Sequence, residues 1–579
     1  MRSVSKFFSP PPDPRLLAAR ERPRTSRHRA GAAALVAVFL ATAACGGAPT
    51  APEAAGPRST GTVGTEAQAG PAQTGGRLVV GISGETDNFN PFAGAWSSPA
   101  YAVANAIFEP LVALDEAGSA KPYLAESMVA STDFRSWTIT LRPGIVFHDG
   151  SPLDSSAVKR NLDAAKTTGL TSQAFTPMES VTATDDKTVV VAMSSPWSSF
   201  PNALASQAGY VVAPSMLDDP ARASAVPVGT GPFVFEGRQR DSFVNVKRNP
   251  TYWRKDEMGT ALPYLDAIEF KIITDPSSRT KTFEARDADA IQVDAPAEIA
   301  AAKERASRSE VNLLGDTKSE TDEAVIALNA SKPPFDDISA RKALQYAIDQ
   351  SSFADLSAGG IEPAWGLFQE GSPWYITKAD AGYPERNIET AKELADQFEK
   401  DHGQKLAFTL NVLSDPQSLQ QGQIIQSQLL EAGIVTEIQP LERAAGINKV
   451  IVTGDYQASY FNMWSAPAPD KGYFFVATKA NPNGLSLNYS RLDDLDLTTA
   501  FDEYRATTDP GRQKAALTTV QRQLAKNVPM IFLNTARLLF MYDTRVHGFN
   551  ANSYPGSKTH ATGAAVATPF YTQVWVERP

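Results

Sequence analysis

The chain of 579 residues holds one cysteine, Cys45. No disulfide can form within it, so its stability must come from burial. A chain this long has ample core and length for more than one domain. Histidine is also scarce: beyond residue 44 only His148, His402, His547 and His560 occur, widely spaced. Without paired histidines or cysteines no zinc site is expected, and no cofactor is called for. There is no Gly-x-Ser-x-Gly elbow and no Gly-Lys-Ser/Thr phosphate loop, which removes the usual sequence marks of an ester hydrolase or a nucleotide-binding enzyme. Positive charge is missing as well. The net charge is −10, and the first 44 residues alone carry +6, which leaves −16 for the remainder. Such a surface repels nucleic acid and anionic lipid headgroups. Beyond residue 44 no apolar run approaches the roughly 20 residues of a membrane span. The best candidate, Val528 to Tyr542, contains Asn534 and Arg537 and reads as buried strands.

What is present begins at the N-terminus. Arg20, Arg22, Arg24, Arg27 and Arg29 precede an apolar run from Ala30 to Ala44, and Cys45 follows it directly. A basic region, a short apolar region and small residues make a secretory signal peptide over 1–44. The arrangement resembles a bacterial lipoprotein signal, with Thr42 where Leu is usual. That resemblance implies lipidation at Cys45 and an extracytoplasmic protein anchored to the cell membrane. Residues 45–75 are rich in Gly, Ala, Pro and Thr. They form a flexible tether with a root-mean-square reach of about 30 Å.

Order begins at Gly76 to Gly81. Trp137, Ile139 and Leu141 alternate with polar residues, as do Val244 and Val246, and Ile268, Phe270 and Ile272. This is the period of half-buried strands. Ser155 to Thr167 has helical spacing, with Ser155 as its cap. From Asp336 or Asp337 a capped helix runs through Leu344 and Ile348. A strand over Leu406–Val412, a helix over Gln417–Ala432 stopped by Gly433, and a strand over Ile434–Ile438 follow. A helix over Leu441–Thr453 and a strand over Tyr456–Met463 complete a β-α-β-α-β run. Such a run predicts a parallel sheet, and ligands sit outside the carboxyl ends of its strands. Those ends carry Ser414 and Asp415, Glu442 and Arg443, and the segment Trp464 to Asp470 with prolines at 467 and 469. Trp464 either walls a ligand at low entropic cost or plugs the core.

Ser-x-x-Lys occurs at Ser156–Lys159 and again at Ser278–Lys281, without a Lys-Thr-Gly partner. A secreted serine hydrolase or penicillin-recognising enzyme using Ser156 and Lys159 is therefore the alternative reading.

Seven stretches in order carry a family resemblance. They are Gly81 to Pro91, Phe108-Glu109-Pro110-Leu111-Val112, Pro122 to Ser127, Trp137 to Gly150, Val228 to Phe233, Asn249 to Trp253, and Leu328-Asn329 with Arg341 to Asp349. Within the fourth, Leu141-Arg142-Pro143-Gly144 and Phe147-His148-Asp149-Gly150 stand out. Together they resemble the solute-binding proteins of bacterial ABC importers, in the family 5 group of dipeptide- and oligopeptide-binding proteins.

The resemblance implies an α/β, two-lobed periplasmic-binding-protein fold of type II, each lobe with a mixed, mainly parallel sheet flanked by helices. One lobe would comprise 76–322 with 533–579 returning to it, the other 323–532. It also implies a monomer without enzymatic activity. The protein would close on a peptide or other small solute and present it to a membrane permease with its ATPase. Most motif residues are expected to be structural, with Gly144, Gly150, Gly229 and Gly231 serving turns. Candidate ligand contacts are Trp96 and Tyr101 from the first lobe, and Trp374, Phe461, Asn462, Trp464 and Asp470 from the second. Peptide binders of the family carry an Asp three residues after the tryptophan that opens the cleft segment. Here that position is Pro467.

Overall fold

The computed structural model describes residues 70–578 apart from 86–87, 95, 116–117, 169–170, 316–321, 359–361, 464–468, 480, 537, 558 and 563–567. The proposed signal peptide, Cys45 and nearly all of the tether lie outside the described residues. So does Trp464.

Two sheets organise the chain. The first runs in the order Phe233–Gln239, Phe243–Arg248, Ala267–Ile272, Arg77–Ile82, Ala290–Val293, Leu539–Asp543, Val311–Leu314. The second runs Val435–Leu441, Ala407–Leu413, Ala458–Asn462, Asp322–Leu328, Met530–Ala536. Each contains a parallel trio: in the first sheet it is central with an antiparallel strand on either side, and in the second it forms one edge with an antiparallel strand on its inner side. Five of seven strands in the first sheet and four of five in the second point one way. A smaller, separate antiparallel sheet runs Ala125–Ala130, Ser136–Leu141, Thr188–Met193, Met178–Ala183.

Local chemistry explains these elements. The β-α-β-α-β run forms as expected. Strand Ala407–Leu413 pairs in parallel with Val435–Leu441 on one side and Ala458–Asn462 on the other. Helix Pro416–Glu431 between the first two is capped by Asp415, whose carboxylate accepts from Ser418 N–H at 2.9 Å. Gly433, at φ +74°, turns the chain out of it. The following helix is α only over Arg443–Ile447 and widens to a π-helix over Asn448–Thr453. Asp337 caps helix Ile338–Ala347. Helix Ser155–Thr167 begins one residue earlier than the sequence suggested: Asp154 accepts from Ala157 N–H, while Ser155 Oγ donates to Asp185 O. The apolar run from Val528 resolves into Met530–Ala536 and Leu539–Asp543, one strand in each sheet. Among the described residues no helix is long and apolar enough to cross a membrane.

The family motifs converge in space. Buried Glu109 accepts from Thr230 Oγ1 at 2.8 Å, Tyr252 OH at 2.6 Å and Trp253 Nε1 at 3.0 Å. Two stretches more than 100 residues downstream thus meet a third on its one carboxylate. Burial is the largest influence on it and pushes its pKa up, against the pull of those three donors. His148 joins a fourth stretch to this hub: Nε2–H donates to Gly231 O at 3.0 Å, and Nδ1 accepts from Gly229 N–H. Gly144 and Gly150 take positive φ, as turns require. Gly229 and Gly231 do not serve turns by positive φ. A Cβ at 229 would lie 2.2 Å from Ile107 O, and one at 231 would lie 2.6 Å from the same atom. They are glycine because another stretch of backbone touches them.

Candidate functional site

The chain passes between the sheets twice, from Leu314 to Asp322 and from Ala536 to Leu539. Strand Val311–Leu314 runs the same way as the first sheet's parallel trio, so it leaves that sheet beside the trio's carboxyl ends. It enters the second sheet next to Asn462, since Ala324 pairs with Asn462. Ala536 and Leu539 are three residues apart, at most about 11 Å. The carboxyl ends of both trios therefore face the same crossings, the position where ligands bind in such sheets.

On the second side the strand nearest the crossing is Ala458–Asn462. Phe461 is half-buried and meets Tyr489 edge-on at 5.4 Å. Asn462 is exposed, and Met463 N–H donates to Glu323 O at 2.9 Å. Trp374 is half-buried against Tyr504, with ring centroids 6.1 Å apart. The other strand-end residues are engaged locally. Ser414 Oγ donates to Glu442 Oε1, and Asp415 caps its helix.

On the first side Trp96 and Tyr101 sit in an aromatic core. Trp96 is 2% exposed and stacks on Phe108. Its Nε1 donates to Asn88 O at 3.0 Å, and its backbone N–H to Gln207 Oε1. The Tyr101 hydroxyl accepts from Gln207 N–H at 2.9 Å. Nearer the strand ends, Glu85 pairs with Arg238 at 3.7 Å, and the guanidinium lies over Phe89 at 5.2 Å.

Asp470 is 1% exposed, and the hydrogen bonds it accepts go to one oxygen. Its Oδ1 accepts from Arg505 Nε at 3.1 Å and Nη2 at 2.9 Å, and from Trp197 Nε1 at 3.1 Å. The Arg505 guanidinium lies over Trp197 at 4.3 Å and over Tyr473 at 3.4 Å. Trp197 stands on the segment that follows the small antiparallel sheet, whereas Asp470 and Arg505 follow strands of the second large sheet. The contact therefore joins the segment after strand Thr188–Met193 to segments after strand Ala458–Asn462. Ser198 N–H donates to Arg505 O at 2.7 Å and Ser198 Oγ to Thr507 O at 2.9 Å. Gln173 spans the same junction: Oε1 accepts from Leu487 N–H at 2.6 Å, and Nε2 donates to Leu485 O. Sequence reasoning did not single out Trp197, Gln173 or Arg505. Arg505 closes an ordinary helix, Leu495–Arg505, and nothing local marks it as buried.

Ser156 is exposed and Lys159 pairs with Asp163 one turn on. Among the described residues no group of three or more His, Cys, Asp or Glu could hold a metal ion.

This is the two-lobed, type II periplasmic-binding-protein fold. Solved structures share it. AgaA from A. tumefacien R10, in complex with agropinic acid, superposes with a TM-score of 0.74 at 24% identity, over 87% of this chain and 99% of that one. The oligopeptide-binding protein AppA from Bacillus subtilis, in complex with a nonapeptide, gives 0.73 at 21%, over 88% and 100%. In sequence, the glutathione-binding protein GsiB of Salmonella paratyphi A is 26% identical over 510 residues, 83% of this chain and 93% of the relative. Residues 119–484, more than half of the chain, match the model for bacterial extracellular solute-binding proteins, family 5 (middle region). The chain belongs to that family. It is the extracytoplasmic solute-binding component of an ABC importer, taking a peptide or another small organic molecule and presenting it to a permease.

Proposed function

We propose that the solute is a small organic molecule that is not held by a free amino terminus at the segment following strand Ala458–Asn462. The observation that carries this reading is the state of the acidic groups there. Family peptide binders place a carboxylate where this chain has Pro467, which has no acceptor side chain. The next carboxylate, Asp470, is buried and bound by Arg505 and Trp197. A ligand ammonium thus lacks the charge-assisted partner that such a contact needs. Glutathione for GsiB and agropinic acid for AgaA illustrate the range of solutes that relatives take.

In this reading the lobes divide where the chain passes from one sheet to the other, between Leu314 and Asp322 and between Ala536 and Leu539, and the solute sits at the strand ends between them. Phe461, Asn462, Trp464 and Trp374 are the side chains we assign to its wall. Trp96 and Tyr101 support that wall from the core, and Asp470 holds the end of the segment. Ligand contact to both lobes favours the closed form, and the protein releases its solute unaltered. Cys45 carries a lipid, and residues 45–75 hold a monomeric clamp clear of the membrane.

Mass spectrometry of the cargo that co-purifies with natively expressed protein tests the solute class. Free-amino peptides anchored through an acidic residue would overturn the reading; solutes without such a group support it. Pro467→Asp gains affinity for peptides with free amino termini on the same argument.

A further inference from the structure

The junction around Trp197 consists of protein groups alone. Five hydrogen bonds cross it: Trp197 Nε1 to Asp470 Oδ1, Ser198 N–H to Arg505 O, Ser198 Oγ to Thr507 O, and the two made by Gln173 with Leu485 O and Leu487 N–H. Trp197 also lies face-on to the Arg505 guanidinium. All the first-lobe partners come from segments beside the small antiparallel sheet, and all the second-lobe partners from 470–507. None of these first-lobe residues stands at the carboxyl ends of the large sheets, where the solute is held.

From this geometry we infer that the Trp197–Asp470–Arg505 and Gln173 contacts form a latch that holds the lobes together in the empty protein. The inference rests on the clamp reading above. The latch is suited to two states. In the closed form the Asp470–Arg505 pair is dry and its remaining donor comes from the opposite lobe. In the open form water solvates the same pair, which stays intact because both residues belong to one lobe. Opening therefore costs the crossing bonds without stranding a charge. The solute then adds to an existing bias, and its apparent affinity falls by whatever factor the closed population loses.

Hydrogen exchange on the solute-free protein, stripped of cargo by unfolding and refolding, tests this. The reporters are the Ser198 and Leu487 amides, each of which donates across the junction. In stripped wild type the Ser198 amide is protected. Gln173→Ala removes two crossing bonds and lowers the closed-to-open ratio roughly tenfold. Trp197→Phe removes a bond to a charged acceptor, with a similar effect. Either substitution speeds exchange at Ser198, a position that neither side chain touches through that amide, and scattering shows a larger particle. Gln173 is a half-buried residue on a short helix, so its variant folds even if Trp197→Phe does not. Protein as purified with cargo is the control. Protection there, with Ser198 exchanging as fast in stripped wild type as in the variants, overturns the latch and leaves the clamp standing. Equal protection and equal size in every sample, variants included, overturns the clamp reading and the latch with it.

Discussion

Replacing Arg505 by Met isolates a deeply buried charge interaction, that with Asp470. Arg505 and Asp470 side chains are 2% and 1% exposed, so little solvent screens them. The substitution leaves the Asp470 carboxylate in the interior with one donor, the Trp197 indole. Removing one partner of a buried ion pair costs about 3–5 kcal/mol. The lost stacking on Trp197 and Tyr473 adds about 1 kcal/mol. Asp470 Oδ2 and Arg505 Nη1 have no partner among the described residues, so the pair is incompletely satisfied and the lower half of that range applies. At roughly 2–4 °C per kcal/mol for a lobe of this size, the melting temperature falls by about 10 °C. A compensating variant carries the argument further. Asp470→Leu combined with Arg505→Met removes both charges, leaving the Trp197 N–H without an acceptor at about 1–2 kcal/mol. The double variant is therefore more stable than Arg505→Met alone. Differential scanning calorimetry and urea titration of the three proteins measure this. A single variant melting within about 2 °C of wild type, or a double variant less stable than the single, would refute the reasoning.

Other perturbations follow from the same contacts. Gly229→Ala drives a methyl group into Ile107 O and costs about 2–3 kcal/mol, seen as a lower urea midpoint. His148 has its pKa pushed down by burial, from an ordinary value of 6.5. The unfolded chain therefore takes up a proton that the folded form refuses. Stability is complete above pH 6.5 and is lost as pH falls below it; His148→Gln flattens that acid limb in urea titrations between pH 7.5 and 5. Trp464→Ala weakens solute binding by about 1–3 kcal/mol if the indole stacks on the solute, while global unfolding would mark it as core. Cys45→Ser moves the protein from the membrane to the soluble fraction, and retention on the membrane would contradict a lipid anchor.

The parts of this fold legible in the sequence are those with local causes. The strand-helix alternation from Leu406 to Met463 rests on period and on caps, and it appears in the structure nearly residue for residue. Cap assignment slipped between Asp154 and Ser155 because adjacent cap-competent residues compete and the winner depends on a third group, Asp185 O. The constraint on Gly229 could not be read, because Ile107 lies 122 residues away. The same holds for Asp470, whose partners stand 35 residues downstream and 273 upstream. Its acidity suggested a ligand contact; the structure binds it in the interior to Arg505 and Trp197. Contacts between distant segments leave no periodicity behind them.

Glu109 gathers three of the family's characteristic stretches, and His148 ties in a fourth. One internal knot thus constrains all four stretches at once. Glu109 and the Thr230 and Tyr252 bonded to it are all buried, so the knot belongs to the chassis. Selection is then free to rewrite the residues that meet the cargo without disturbing the frame. A lineage built this way can change its diet by a few substitutions at the strand ends, and still be recognisable by signatures that never touch what it carries.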